Sequence, residues 1–363
     1  MSRLITVHNT ADEPIYDIVI EKDFSRLAEA VEKLGIKNRR ICIITESHVG
    51  PLYADAVKAE LEKTGNSIYV YTFEAGEANK NLNTVQDVYE FLIQNKFDRK
   101  DMLAALGGGV TGDLVGFAAA TYLRGISFIQ IPTSLLAQVD SSIGGKTGVD
   151  FRGYKNMVGA FYQPKLVYMN MSVHKSLDKR QFNSGFGEII KHGLIKDSAY
   201  YRWLRDNVDA IRALDYDALE YMIAGSCNIK REVVEKDPTE KGDRALLNFG
   251  HTLGHAIEKL MNFSLYHGEC VALGMLAALK ISNARGLISD EDIDDAVDML
   301  KLYDFPMSVT GIESSDVVAV SKSDKKMDAG KIKFVLIDSI GHAFLDTTVT
   351  DAEMLEALNG IIE

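Results

Sequence analysis

The first 170 residues alternate between short runs rich in β-branched residues and stretches with apolar residues at helical spacing. Five runs are typical of strands: 15–20, 41–45, 67–73, 102–106 and 127–131. The stretches between them are typical of helices: 24–34, 49–64, 85–95 and 110–123. Strands joined through helices pair in parallel, and helices then cover the sheet. The alternation therefore predicts an α/β fold with a Rossmann-like parallel sheet that binds ligands at the carboxyl ends of its strands.

The pattern changes after about residue 171. Most of the later chain has helical periodicity, with Asp, Asn or Gly at the segment edges: 184–195, 199–211, 216–235, 250–261, 269–285 and 290–303. Residues 332–337 and 342–346 are typical of a closing hairpin. We predict an N-terminal parallel-sheet domain over 1–172 and a mainly α-helical C-terminal domain over 173–363.

Composition narrows the possible partners. A formal charge of −12 disfavours nucleic acid, which is bound by clustered Lys and Arg. The longest apolar stretches, such as 271–279, reach only about half of the ~20 residues that a membrane helix needs, so no membrane partner is expected. The polar N-terminus predicts no signal peptide, and a cytoplasmic location is expected. Cys42, Cys227 and Cys270 are too widely spaced for a zinc site and are expected to be buried thiols.

The clearest phosphate-binding pattern is a glycine-rich turn. Apolar residues from Met102 lead into Gly107, Gly108 and Gly109, and a helical stretch follows. Glycine lets a backbone approach a pyrophosphate, and a helix N-terminus offers free N–H groups and a positive dipole. The spacing is not G-x-G-x-x-G, and a tight turn with positive φ is an equally ordinary use of glycine. The turn alone leaves both interpretations open.

A second glycine cluster follows the next predicted strand. It places the acid Asp140 and the base Lys146 beside the flexible backbone of Gly144 and Gly145. A charged loop at a domain edge would have the same composition. Two such clusters after successive strands favour an anion-binding function, because the carboxyl ends of parallel strands meet at one edge of a sheet.

The metal-binding pattern lies in the helical part. His251 and His255 are four residues apart and share one helix face, and His267 follows closely. A catalytic Zn²⁺ also commonly takes a carboxylate, and Glu188 is the candidate because it lies in an otherwise apolar helix. The alternative is an exposed Glu188 that pairs with Lys191 or His192.

Seven motifs together resemble the 3-dehydroquinate synthase family, the second enzyme of the shikimate pathway and a member of the sugar phosphate cyclase superfamily. They are GGGVTGD at 107–113, DSSIGGKTGV at 140–149, YKN at 154–156, GEIIK at 187–191, RALLNFGHTLGH at 244–255, HGECVA at 267–272 and DKK at 324–326. The resemblance covers essentially the whole chain. Two positions depart from it: Gly187 stands where Ala is frequent, and Asp150 where Asn is common.

The resemblance implies NAD binding by domain 1–172, a divalent metal, Zn²⁺ or Co²⁺, in domain 173–363, and substrate in the cleft between them. The implied reaction converts the sugar phosphate 3-deoxy-D-arabino-heptulosonate 7-phosphate to 3-dehydroquinate and phosphate. The C5 alcohol is oxidised by NAD, phosphate is eliminated, hydride returns, and an intramolecular aldol closure completes the ring. A homodimer is expected, because the family's arginine at the position of Arg124 reaches the neighbouring site.

The resemblance also assigns site residues. The metal ligands would be Glu188, His251 and His267, which leaves His255 as an active-site polar group. The remaining catalytic residues would be Asp140, Lys146, Lys191, Asn248 and His255. The substrate would be bound by Arg124, Lys146, Lys155, Asn156, Lys230, Arg244 and one of Lys325 or Lys326. NAD would be bound by Glu46, Glu77, Lys80, Gly107, Gly108, Gly109, Asp113, Thr133 and Ser176, the last standing where Thr is usual.

Three alternative functions fit parts of these patterns. A glycerol dehydrogenase-type oxidoreductase would not need Lys146, Lys230 and Arg244 together. A sugar phosphate cyclase whose substrate lacks a carboxylate would not need Lys230 with Arg244. A noncatalytic regulator that binds NAD and metal would not need an intact set of ligand and hydride-site residues.

Overall fold

The computed structural model describes residues 3–262, 264–323, 327–328 and 331–363. It divides into two compact units: unit 1 comprises the residues up to Leu177 together with Leu219–Thr239, and unit 2 comprises Asp178–Ala218 and Glu240–Glu363. The functional boundary after residue 172 stays a prediction. None of the helices described is both long and apolar enough to cross a membrane.

Unit 1 contains a twisted sheet with helices on both faces. Its strands are β1 Arg3–His8, β2 Pro14–Glu21, β3 Arg40–Glu46, β4 Ser67–Phe73, β5 Met102–Gly107, β6 Ser127–Pro132, β7 Lys146–Phe151, β8 Tyr154–Phe161 and β9 Leu166–Asn170. Its helices are α1 Leu27–Glu32, α2 Gly50–Glu62, α3 Leu82–Gln94, α4 Gly109–Thr121 and, from Leu219 onward, α8 Tyr216–Lys236. In the described chain, the large sheet has the order β1-β2-β9-β6-β5-β3-β4, and β7 pairs with β8 in a separate hairpin.

Alternation along the strands explains the two helical layers. On β3, Ile41 and Ile43 face a core formed with α1 and α2, whereas Cys42 and Ile44 face a core formed with α3 and α4. Successive side chains of a strand point to opposite faces, so a strand covered on both sides is apolar throughout. Cys42, Cys227 and Cys270 are buried free thiols, as predicted.

The predicted α/β fold is confirmed, with two corrections to the sheet. The structure adds β1 and β9 to the five predicted strands, and β1 pairs antiparallel with β2. The other neighbours in the large sheet pair in parallel. Antiparallel neighbours can be joined by a short turn without a crossover helix, so β1 is not part of the strand–helix alternation from which the parallel sheet was predicted.

Unit 2 is mainly helical. Its helices are α5 Lys179–Lys196, α6 Ser198–Asp206, α7 Val208–Arg212, α9 His251–Leu260, α10 His267–Ala284, α11 Asp290–Leu302, α12 Ser314–Ser323 and α13 Asp351–Leu358. Its strands are β10 Met327–Asp328, β11 Lys331–Ile332, β12 Phe334–Ser339 and β13 His342–Asp346. The predicted hairpin is found as β12 and β13, which pair antiparallel. The segment predicted as one helix over 199–211 is instead two helices, interrupted at Asn207.

Helix α10 is the central helix of unit 2. It is apolar on all sides because α5, α9, α11, α13 and β12 pack around it. Glycines allow two of these contacts to be backbone against backbone. A Cβ on Gly268 would lie 1.9 Å from the carbonyl oxygen of Ser184, and one on Gly274 would lie 1.8 Å from that of Gly250. Helices α5 and α9 therefore approach α10 closely, and this approach brings the predicted metal ligands together.

Candidate active site

The metal-binding candidates converge at the N-terminal ends of α9 and α10. His251 is the first residue of α9 and follows Gly250, whose φ of 80° favours glycine and where a Cβ would lie 2.7 Å from the carbonyl oxygen of Val271. His267 is the first residue of α10, and Glu188 lies in α5. The three side chains come from three helices that the glycine contacts hold together.

The ligand atoms are spaced as a metal ion would require. Glu188 Oε1 lies 3.4 Å from the Nε2 atom of His251 and 3.4 Å from that of His267. Atoms bound at about 2.0–2.1 Å to a tetrahedral Zn²⁺ lie roughly 3.3–3.4 Å apart. Glu188 is fully buried, and its Oε1 has no hydrogen-bond partner among the described residues. A buried carboxylate oxygen without a hydrogen bond is costly, and a divalent cation would satisfy it.

His255 lies beside these residues. Its ring centroid is 5.0 Å from that of His251 and 5.7 Å from that of His267, and the three histidines offer nitrogen atoms within 4.8 Å of one another. The geometry therefore brings together both candidate sets, the three histidines and the pair of histidines with Glu188. Both are compatible with a divalent ion that prefers nitrogen and oxygen ligands.

Lys191 contacts the other carboxylate oxygen of Glu188, one helical turn away. Both side chains are buried, with exposed fractions of 1%. Burial opposes ionisation of Glu188, but the charge of Lys191 and the contacts with His251 outweigh it and hold the pKa of the carboxyl well below its usual range. The surface pairing that the sequence left open is excluded by this burial.

The second nitrogen of each histidine ligand candidate has its own partner. His251 Nδ1 lies 3.1 Å from the carbonyl oxygen of Phe249, and His267 Nδ1 lies 3.6 Å from Glu258 Oε2. Burial lowers the pKa of His251 to about 3, helped by the charge of Lys191. Burial also disfavours charge on His267, but Glu188 and Glu258 overcome it and raise its pKa to about 10. Such partners hold the ring proton on Nδ1, so that Nε2 is the ligand atom once a metal displaces any proton from it.

Sequence reasoning missed two acidic residues here, Glu258 and Glu240. Glu258 is buried and lies seven residues after His251, on the same face of α9; this spacing was the available signal. Glu240 Oε1 accepts a hydrogen bond from Asn248 Nδ2 at 3.1 Å, and no spacing rule points to it. Arg244 is also buried in unit 2, with 2% exposure. Lys325 and Lys326, predicted to bind phosphate, lie outside the described residues.

In unit 1, the glycine turn joins β5 to α4 at the carboxyl end of the sheet. Gly107, Gly108 and Gly109 do not have positive φ, so a tight left-handed turn does not explain them. Steric crowding explains two of them: a Cβ on Gly107 would lie 2.3 Å from Thr111 Oγ1, and one on Gly109 would lie 3.1 Å from the Oγ of Ser141. A helix N-terminus that begins with glycines, as α4 does, is what an anion-binding turn requires, because its first N–H groups have no intrahelical partner.

Two of the other NAD candidates, Glu46 and Thr133, lie at the carboxyl ends of β3 and β6, the strands that flank β5. Glu46 ends β3 and accepts hydrogen bonds from the backbone N–H groups of His48 and Val49 at 2.6 and 2.9 Å. Thr133 follows β6, and its N–H donates to the carbonyl oxygen of Gly107 at 3.0 Å. Ser176 Oγ accepts a hydrogen bond from the hydroxyl of Tyr53 at 2.6 Å.

A buried lysine joins an NAD candidate to a substrate candidate. Lys80 Nζ donates to Asp113 Oδ2 at 2.7 Å and to Asn156 Oδ1 at 2.6 Å. Burial would lower the pKa of Lys80, but the charges of Asp113 and Glu77 outweigh it and raise that pKa. Glu77 also lies 3.6 Å from the ammonium of Lys155. The structure therefore places five predicted residues in one cluster.

The remaining substrate candidates of unit 1 differ in exposure. Lys230 on α8 is buried, and its Nζ lies 2.5 Å from Asp140 Oδ1. Lys146, at the start of β7, is exposed. Arg124 is also exposed, with a φ of 68° next to Leu123 at 51°.

Two family models match this chain. Residues 70–184 match the family model for the 3-dehydroquinate synthase N-terminal region, and residues 185–327 match that for the C-terminal region. The 3-dehydroquinate synthase of Ruminiclostridium cellulolyticum is 43% identical over 344 residues, covering 95% of both chains.

Solved structures agree with the sequence matches. The 2-epi-5-epi-valiolone synthase of Streptomyces hygroscopicus subsp. jinggangensis, with NAD⁺ and Zn²⁺ bound, has a TM-score of 0.88 at 26% identity, covering 95% of this chain and 96% of that one. A 2-deoxy-scyllo-inosose synthase with carbaglucose-6-phosphate, NAD⁺ and Co²⁺ has a TM-score of 0.86 at 25% identity, covering 99% of each. Fold and site thus define a member of the sugar phosphate cyclase superfamily.

Within that superfamily, the chain belongs to the 3-dehydroquinate synthase family. It is an enzyme, a lyase with 3-dehydroquinate synthase activity. The dehydrogenase and regulator alternatives are set aside by this membership.

Proposed function

We propose that the chain forms 3-dehydroquinate and phosphate from 3-deoxy-D-arabino-heptulosonate 7-phosphate, with NAD as a recycled oxidant and one divalent ion held by Glu188, His251 and His267. The observation that carries the ligand assignment is the buried Glu188 Oε1, which lies 3.4 Å from two imidazole nitrogens and has no hydrogen-bond partner in the part of the chain that the structure describes. The set with His255 in place of Glu188 would leave this carboxylate oxygen unsatisfied.

The bound groups supply two kinds of chemistry. A divalent ion held by Glu188, His251 and His267 would supply stabilisation of negative charge on a substrate hydroxyl oxygen, and NAD held at the glycine turn would supply reversible hydride chemistry. The chain's own residues bind and orient the substrate. Lys191 keeps the Glu188 carboxylate ionised, because its ammonium group lies against that carboxylate in a buried site.

Anion recognition is assigned to basic and amide side chains. We assign Lys146, Lys155, Asn156 and one of Lys325 or Lys326 to the phosphate. The substrate carboxylate is assigned to Lys230 and Arg244, since a guanidinium fork matches a planar carboxylate. The contact with Asp140 keeps the Lys230 ammonium oriented. Asp140, Lys191, Asn248 and His255 complete the catalytic set.

The NAD-binding set comprises Glu46, Glu77, Lys80, Asp113, Thr133 and Ser176, with the glycines of the turn. We further propose a cytoplasmic homodimer in which Arg124 contacts the phosphate bound to a second copy. The exposure of Arg124 supports this proposal, because an exposed side chain is accessible to a second copy.

One assay tests the reaction. The purified protein, loaded with Zn²⁺ or Co²⁺, is mixed with a small amount of NAD and excess heptulosonate phosphate, and phosphate and absorbance at 340 nm are followed together. We expect one phosphate per substrate with no accumulation of NADH, because hydride returns before product leaves. Stoichiometric NADH without phosphate release would contradict the proposal.

Metal content tests the ligand set separately. We expect His267→Ala and Glu188→Ala to lose stoichiometric Zn²⁺ after dialysis against a weak chelator, while His255→Ala retains it. The reverse order, with metal lost from the His255 variant and retained by the Glu188 variant, would favour the three-histidine set.

A further inference from the structure

The hairpin β7–β8 carries an irregularity next to the proposed phosphate-binding amide. Val149 pairs with Val158 and Phe151 pairs with Tyr154, so a single residue of β7, Asp150, lies opposite three residues of β8. This is a bulge, and bulges often redirect side chains beside active sites. Asn156 lies in the bulge with a φ of 53°, in the left-handed region.

Asp150 holds this bulge by two hydrogen bonds. Its Oδ1 accepts from the backbone N–H of Asn156 at 2.8 Å, and its own N–H donates to the carbonyl oxygen of Lys80 at 2.8 Å. Left-handed backbone is unfavourable for most residues but is tolerated by Asn. The carboxylate of Asp150 supplies the acceptor that a regular ladder would have supplied.

The amide of Asn156 is then oriented by Lys80. Because Lys80 Nζ donates to Asn156 Oδ1 at 2.6 Å, the amide oxygen is engaged and the NH₂ group is the part available as a donor. A phosphate oxygen accepts hydrogen bonds and donates none when ionised. The fixed orientation therefore suits phosphate, and it depends on the backbone of Asn156 staying in the bulge.

We propose that Asp150 is a positioning residue for phosphate recognition, acting through the backbone of Asn156; this rests on the proposed role of Asn156 in phosphate binding. Two effects of Asp150 oppose each other. Its hydrogen bond orders the amide, whereas its negative charge repels phosphate. Asp150→Asn removes the charge and keeps an oxygen acceptor, and Asp150→Ala removes both.

The two substitutions separate these effects when inorganic phosphate is titrated into the NAD- and metal-loaded enzyme. We expect Asp150→Ala to weaken phosphate binding and raise KM for the heptulosonate phosphate about 10-fold, with kcat changed less than twofold, since one hydrogen bond to a charged group is lost. We expect Asp150→Asn to bind phosphate at least as tightly as the parent. The affinity for NAD should be unchanged in both.

Asp98→Ala is the matched control. Asp98 Oδ1 also accepts a hydrogen bond from a backbone N–H group, that of Lys100, at 2.7 Å. These two residues lie in the turn that precedes the amino end of β5. The control should leave KM and phosphate binding unchanged. Parental phosphate affinity in Asp150→Ala, or equal weakening in Asp150→Asn, would overturn the proposal.

Asn156→Gly covers the case in which Asp150→Ala misfolds. Glycine keeps the left-handed bulge without strain but removes the amide. We expect Asn156→Gly to lose phosphate affinity to a similar extent as Asp150→Ala. The double variant should lose no more phosphate affinity than either single variant, because both changes remove the same contact. Additive losses would refute the coupling. If the parent binds phosphate but does not release it from the substrate, the proposed reaction fails while this test stands.

Discussion

Replacing Lys191 by Met should destabilise unit 2 in the absence of metal. Glu188 and Lys191 are both buried, and Met fills a similar volume without the charge. The substitution leaves the Glu188 carboxylate uncompensated on one side, and breaking a buried ion pair in this way costs about 3–5 kcal/mol. For a domain of 150–250 residues, each kcal/mol shifts Tm by about 2–4 °C, so Tm should fall by roughly 6–20 °C.

The assay is thermal unfolding in excess chelator, with and without added Zn²⁺. Lys63→Met is the matched control, because Lys63 makes the same three-residue-spaced pair with Glu60 at 2.6 Å but is 60% exposed. A surface pair of this kind contributes less than about 1 kcal/mol, so the Tm of the control should change little.

Metal should rescue the variant more than the parent. Without the competing ammonium of Lys191, the ion replaces a positive partner that Glu188 has lost, so the Zn²⁺-induced rise in Tm should exceed that of the parent. The double variant Glu188→Gln/Lys191→Met, which has no buried charge at the pair, should be more stable without metal than Lys191→Met. An unchanged Tm of the metal-free Lys191→Met protein would refute the reasoning.

Two further predictions concern unit 2. Glu258→Gln should weaken Zn²⁺ binding about 10- to 100-fold in competition with a chelating dye, because a carboxylate behind His267 raises the basicity of that ligand. Glu62→Gln on the surface is the control and should have no effect. Equal Zn²⁺ affinities of Glu258→Gln and the parent would exclude this role of Glu258. The hydrogen bonds of Arg285 hold the pKa of Glu353 at about 2 in the folded protein. The stability that this carboxylate contributes is therefore present above its unfolded pKa, near 4.5, and is lost as the pH falls toward 2. The free energy of unfolding of Glu353→Gln, measured in urea from pH 6 to pH 2, should therefore decrease less steeply than that of the parent, and parallel curves would contradict the assignment.

Much of the N-terminal architecture could be predicted from the chain. Residues 41–44 of β3 and 102–106 of β5 are apolar at every position because both faces of these strands are covered, and this property is local. The helix over 199–211 was predicted as continuous because periodicity does not register the interruption at Asn207. Helix α13 was missed although Thr350 and Glu353 form a capping box, a signal that the sequence offered.

The sequence by itself determined the chemistry available to this protein: two glycine clusters, basic side chains for an anion, and histidines with a carboxylate for a metal. Residue types and short spacings carry that information because they depend on neighbours along the chain. Only the tertiary structure decided the geometry. It buried Glu188 against Lys191 and 3.4 Å from two histidines, and it placed Lys80 between Asp113 and Asn156. Apart from the Glu188–Lys191 pair within α5, these contacts join residues that lie far apart in the chain. Their distances depend on backbone approaches such as that of Gly268 to Ser184, which no local pattern specifies.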